Sequence, residues 1–127
     1  LESMGDLAGA KPYLEQALEI NREALGDKHP DTATSLNNLG YLLDSMGDLA
    51  GAKPYLEQAL EINREALGDK HPVTASSLNN LGYLLKAMGD LAGAKPYYEQ
   101  ALSILEEKLG RNHPTTQIVR GNLDSLD

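Results

Sequence analysis

Three histidines, His29, His71 and His113, each stand directly before a proline and recur at a spacing of 42 residues. One per repeat on the same edge is too far apart for a shared metal ion, so the spacing predicts a structural role in a turn. The chain has no cysteine, which removes disulfides and thiolate zinc sites alike. The glycine-rich stretch Gly5-Asp6-Leu7-Ala8-Gly9-Ala10-Lys11 lacks the Gly-Lys-Ser/Thr ending of a phosphate loop, and no strand precedes it. Acidic residues are many, but at helical spacing they describe a solvated face. No nucleophile stands with a base. Catalytic residues, cofactors and metal ligands are therefore not expected, and the reading is of a non-enzyme. What remains is hydrogen bonding by the pair Asn37 and Asn38, which returns as Asn79 and Asn80. A carboxamide offers a donor and an acceptor to an extended peptide backbone without requiring a particular side chain. The alternative is that these amides are solvated or bond a neighbouring helix. Tyr41 and Tyr83 either pack on a ligand or cover the seam between helices.

These residues need elements to position them, and the chain's self-similarity supplies them. Residues 4–45 differ from residues 46–87 only at Asp31/Val73, Thr34/Ser76, Asp44/Lys86 and Ser45/Ala87. A fixed period of about 20 to 50 residues marks a supersecondary unit that buries its apolar face by stacking on its neighbours. Within each unit, Gly68-Asp69-Lys70-His71-Pro72 and Met46-Gly47-Asp48 read as turns, the second with Asp48 as helix N-cap. Between them lie two helix types: A over 31–46, 73–88 and a remnant at 115–126, and B over 7–25, 49–67 and 91–109. Helix A carries Leu36, Leu39, Leu43 and Met46 on one stripe and Thr34, Asn37, Asn38, Tyr41, Asp44 and Ser45 on the other face. Helix B has two apolar faces: one with Leu49, Ala52, Leu56, Ala59, Leu60 and Leu67, the other with Tyr55, Ile62 and Ala66. Lys53, Glu57, Glu61, Arg64 and Glu65 form its solvated outside. Pro54, past the first turn of B, predicts a slight kink or a late helix start.

Composition agrees with an all-α chain, since Leu and Ala dominate and Phe and Trp are absent. A net charge of −8 with scattered basic residues argues against a nucleic-acid partner. No apolar run approaches the length of a membrane span, and no signal peptide is legible. A cytoplasmic setting is expected.

Leu36, Leu39, Gly40, Ala52 and Ala59 stand at the mutual spacing of the tetratricopeptide signature, and the chain resembles that family over essentially its whole length. The 42-residue period, with Leu-Gly-x-x-His-Pro and Asn-Asn-Leu, is similar to the repeats of kinesin light chains and related bacterial arrays. The resemblance implies a single array over residues 1–127, a right-handed superhelical solenoid of antiparallel helix pairs. Its concave groove, lined by helices A, would accept a peptide segment of a partner protein. Position by position, the implied groove residues are Thr34, Asn37, Asn38, Tyr41, Asp44 and Ser45, then Ser76, Asn79, Asn80, Tyr83 and Lys86, with Asn122 matching Asn38 and Asn80. The basic residues with which co-chaperones of this family clamp a carboxylate are replaced by Thr34, Asn37, Ser76 and Asn79, which argues against a chaperone-tail clamp. A protein-interaction scaffold is the leading expectation, and a structural protein that stacks end to end is the alternative. In the second, the remnant at 115–126 would dock on helix B at 7–25 of another molecule. Arg120 in place of Leu36 and Asp124 in place of Gly40 predict that such a contact is weak, since they suit a solvating end cap.

Overall fold

Leucine, alanine and alternating charges favour helix throughout, and glycine, histidine and proline interrupt it at regular intervals. The computed structural model describes residues 4–127, with side chains from Asp6 onward. Its regular elements, among the described residues, are six helices: α1 (Met4–Leu25), α2 (Pro30–Ser45), α3 (Leu49–Leu67), α4 (Pro72–Ala87), α5 (Leu91–Lys108) and α6 (Pro114–Asp124). Types B and A alternate, beginning with B. The helices fall into two compact units, one through Ala66 with α1, α2 and α3, the other from Leu67 with α4, α5 and α6.

The turns explain the boundaries. At the start of each A-type helix, proline occupies the first turn, where its missing N–H is no loss. The preceding histidine is the N-cap. Its Nδ1 accepts from the backbone N–H two residues on, at 3.0 Å for His29, 3.0 Å for His71 and 3.1 Å for His113. A conserved-in-repeat threonine adds a second tie. The hydroxyls of Thr32 and Thr74 each donate at 2.8 Å to the carbonyls of Gly26 and Gly68, at the end of the previous helix. At the other end of α2, Gly47 takes φ +84°, a backbone conformation that costs side-chain-bearing residues energy. That turn lets Asp48 N–H reach Leu43 O at 2.8 Å, while the Asp48 carboxylate accepts from Gly51 N–H at 2.9 Å and caps α3. Replacing His71 with alanine is expected to cost about 0.5 to 2 kcal/mol, the range of a lost N-cap, whereas asparagine should retain most of it. Urea denaturation followed by helical circular dichroism checks this. Equal stability of the alanine and asparagine variants would refute the capping role.

Several boundaries differ from the sequence-based reading. The first helix begins at Met4 and not at residue 7, so Gly5 and Asp6 also lie in helix. Pro54 does not delay its helix, which starts at Leu49 because the Asp48 cap fixes the first turn. Both Pro54 and Ala50, whose carbonyl the missing N–H would have met, lie on the exposed side, where water can satisfy that oxygen. The last helix stops at Asp124, with the Ser125 N–H bonded back to Gly121 O at 3.0 Å.

In the first unit, Leu18 of α1, Ala33, Leu36 and Leu39 of α2, and Ala59 and Ile62 of α3 form one buried cluster, with Leu14 and Tyr55 packed against it. Helix α2 thus sits between two B-type helices. Its apolar face is wider than expected: Leu42 is buried beside Leu43, while Met46 is a half-exposed C-cap. On α3, Ala66 is exposed, and the buried set includes Asn63. In the second unit Leu78, Leu81, Leu84, Tyr98, Leu105 and Val119 are the largest fully buried apolar side chains.

Candidate functional site

Helix α2 presents its polar stripe beside α1. Asn38, Tyr41 and Ser45 line, together with Leu7, Ala10, Leu14 and Leu42, a cavity of about 670 Å³. A mostly apolar lining with a few polar groups suits a ligand-binding cleft. Tyr41 is 74% exposed, as is 56% of Tyr83 on α4, so neither ring is used up in covering a seam. The other stripe residues of α2 contribute unequally. Asn37 is half-buried, and its Oδ1 is buried without a hydrogen-bond partner among the described residues. An orphaned acceptor of this kind costs about 1 to 3 kcal/mol. Asp44 is half-buried. Thr34 is exposed, but its hydroxyl donates back to Pro30 O at 3.3 Å, and Ser76 does the same to Pro72 O at 3.4 Å.

In the second unit the stripe is partly tied to α6. Asn122 Nδ2 donates to Asn79 Oδ1 at 3.0 Å, and Lys86 Nζ donates to the Ser125 hydroxyl at 2.7 Å. Ser125 in turn donates to Asn122 O at 2.6 Å. Asn79, Lys86 and Asn122 therefore knit neighbouring A-type helices together, and Asn80, half-buried, and Tyr83 complete the stripe on α4.

Besides Ser35, Ser77 and Asn63, two further sets of buried polar residues lay outside the sequence-based reading. Thr32, Thr74 and Thr116 are fully buried, and their 42-residue recurrence was the signal that marked them. Tyr98 is the other. It stands where α1 and α3 have Leu14 and Leu56, and it is fully buried with its hydroxyl unpartnered among the described residues. Burial raises its pKa above the ordinary tyrosine value, and the charge of Tyr83 adds to the shift.

A tetratricopeptide repeat family model matches residues 1–65, 45–107 and 74–123. The chain belongs to the tetratricopeptide repeat family. Repeats of this family generally act as protein-interaction or scaffold modules and are typically non-enzymatic. Among solved structures, this tetratricopeptide repeat chain is similar to a kinesin-light-chain-type protein of Podosopora anserina with nearly identical TPR-like repeats. That likeness has 26% identity and a TM-score of 0.87, and covers 96% of this chain and 57% of the other. It is also similar to BtubC (BKLC) from P. vanneervenii, at 28% identity and a TM-score of 0.87, covering 96% of this chain and 49% of that one. The chain thus spans about half the length of the solved structures it resembles. No curated protein matches it significantly. The kinesin-light-chain-like character of the 42-residue repeat and the all-α helical-repeat fold class are established by these matches.

Proposed function

We propose that the chain is a non-enzymatic scaffold that holds a peptide segment of a partner protein along the polar stripe of its A-type helices. The observation that carries this reading is the cleft on the first unit, lined by apolar Leu7, Ala10, Leu14 and Leu42 and by Asn38, Tyr41 and Ser45. The stripe from Thr34 to Ser45 and its counterpart from Ser76 to Lys86, with Asn122, is the proposed binding surface. A net charge of −8 makes a protein a more suitable partner than a nucleic acid. The second reading, stacking of copies through α6, is the less favoured: Arg120 is engaged with Glu106 on α5 and Asp124 is exposed, which puts charge on that helix beside the exposed Ile118.

Replacing Asn38 and Asn80 together with alanine tests the groove. Helicity should be nearly unchanged, and affinity for a peptide partner captured by the intact chain should fall by at least about 1 kcal/mol, the scale of a lost hydrogen bond. Titration calorimetry measures it. Unchanged affinity would remove the groove from consideration.

A further inference from the structure

All the differences between residues 4–45 and 46–87 fall on the A-type helices α2 and α4, while the B-type segments 7–25 and 49–67 are identical. Thr34/Ser76, Asp44/Lys86 and Ser45/Ala87 lie on the polar stripe, and of these only Asp44/Lys86 reverses a charge. Asp44 is the anomalous member of that pair. It stands in the last turn of α2, where the carbonyl end of the helix carries negative partial charge and favours a cation. Helix α4 supplies that cation with Lys86, and α2 has no basic residue there. The Asp44 carboxylate is half-buried and has no ion-pair partner among the described residues. Tyr41 lies three residues earlier on the same face, with its ring 74% exposed. At the equivalent place in the second unit, Lys86 Nζ donates to Ser125 Oγ at 2.7 Å, so that charge is already engaged within the fold. A carboxylate that its own helix disfavours weakens the free chain, and the group that relieves it is a cation brought by a ligand.

We propose that Asp44 and Tyr41 together form a recognition point for a basic side chain, arginine or lysine, of the partner segment, and that Lys86 turns the equivalent point of the second unit against such a residue. This names the class of residue that the stripe of the first unit takes, and it rests on the scaffold reading above. The carboxylate accepts charge-assisted hydrogen bonds from the guanidinium or ammonium group, and the exposed face of the Tyr41 ring attracts the same cation. Half-burial of Asp44 makes the attraction stronger than it would be in open water. With lysine in place of aspartate the attraction becomes repulsion, so two nearly identical units take different residues. The net charge of −8 attracts cationic segments in general but does not choose where on the chain they sit. Asp44 makes that choice.

The test selects random dodecapeptides displayed on phage against the whole chain, then measures the recovered peptides, synthesised with a fluorescein label, by fluorescence anisotropy. Arginine or lysine is expected at one position of the recovered peptides. Asp44→Asn should weaken their binding at least about tenfold, the scale of a hydrogen bond to a charged group, and Asp44→Glu should keep most of it. Glu57→Gln, which removes one negative charge from the exposed outer side of α3, should change binding less than about twofold. Replacing the basic residue of the peptide with glutamine should cost as much as Asp44→Asn, and the two changes together should cost little more than either alone. The Asp44→Asn chain should keep or raise its melting temperature, because a negative charge leaves the carbonyl end of α2. A fall in melting temperature would show the carboxylate to be engaged within the fold and would overturn the proposal. An equal loss with Glu57→Gln would make net charge the cause and would overturn it as well. Recovered peptides without a basic residue also overturn it, and if Asn38→Ala with Asn80→Ala weakens those peptides, the groove reading survives. If no peptide is recovered, or if those recovered are indifferent to all these variants, the proposal and the groove reading fail together.

Discussion

Leu39→Ala is expected to lower the unfolding free energy by about 2 to 5 kcal/mol, the range for truncating a buried leucine. Leu39 is fully buried at the centre of the cluster that joins α1, α2 and α3, so its side chain has contacts on both sides of α2. Helices of this length are marginal in isolation and take most of their stability from such packing. The cavity left behind has little freedom to collapse, because three helices are held around it by caps and by bonds such as Asn21 Nδ2 to Ser35 Oγ at 2.6 Å. Urea denaturation followed by circular dichroism measures the loss, with Tyr41→Ala as a control that should change stability by less than about 0.5 kcal/mol, since it is an exposed side chain on the same helix. A loss below about 1 kcal/mol for Leu39→Ala would mean that the three helices do not share one core.

The second large effect belongs to the crossing of α4 over α5. Gly82→Ala is expected to destabilise by about 1 to 3 kcal/mol through overpacking, although alanine is the better helix former. The added Cβ would lie 2.8 Å from Tyr98 Cε1 and 2.9 Å from Cδ1, and a buried ring cannot swing aside. At the equivalent Gly40 an added Cβ would lie 2.5 Å from Cδ2 and 2.8 Å from Cγ of the buried Leu56, so Gly40→Ala should destabilise as well. Tyr98→Leu, which restores the residue of the other two repeats, should therefore not rescue Gly82→Ala. Rescue would mean that only the ring obstructs the crossing. Tyr98→Phe is expected to stabilise the chain by about 1 kcal/mol, because it removes a buried hydroxyl that has no partner. The same variant changes the alkaline limb. With the folded-state pKa of Tyr98 raised by burial, the unfolded chain loses this proton first as pH passes about 10. Stability is therefore full below that pH and falls above it, and Tyr98→Phe should flatten the fall.

The period carried most of the fold. Near-identity of residues 4–45 and 46–87 showed the unit, and the glycine, histidine and proline punctuation located its turns, because these residues act through local backbone geometry that needs no partner. The polar stripe from Thr34 to Ser45 was also legible as a helix face. Its division of labour was not. Asn122 gives its amide to Asn79 and Lys86 reaches Ser125, whereas Asn38 and Tyr41 border an open cleft. Identical spacing leads to different surroundings, because hydrogen-bond partners depend on which helix lies alongside. The extent of the apolar face was misjudged for the same reason. Leu42 is buried and Met46 half-exposed, an assignment made by two flanking helices and not by one periodicity.

By itself, the sequence determined the helix types, their order, the turns at His29, His71 and His113, and the family, since each depends on residues near one another in the chain or on the repeat itself, while the structure made those histidines helix caps. Only the tertiary structure decided that the face of α1 is open while its identical counterpart on α3 is covered, and that the Tyr98 ring lies against Gly82 with its hydroxyl unpartnered. Burial is a property of neighbours, and two segments of the same sequence acquire different neighbours from their places in the stack.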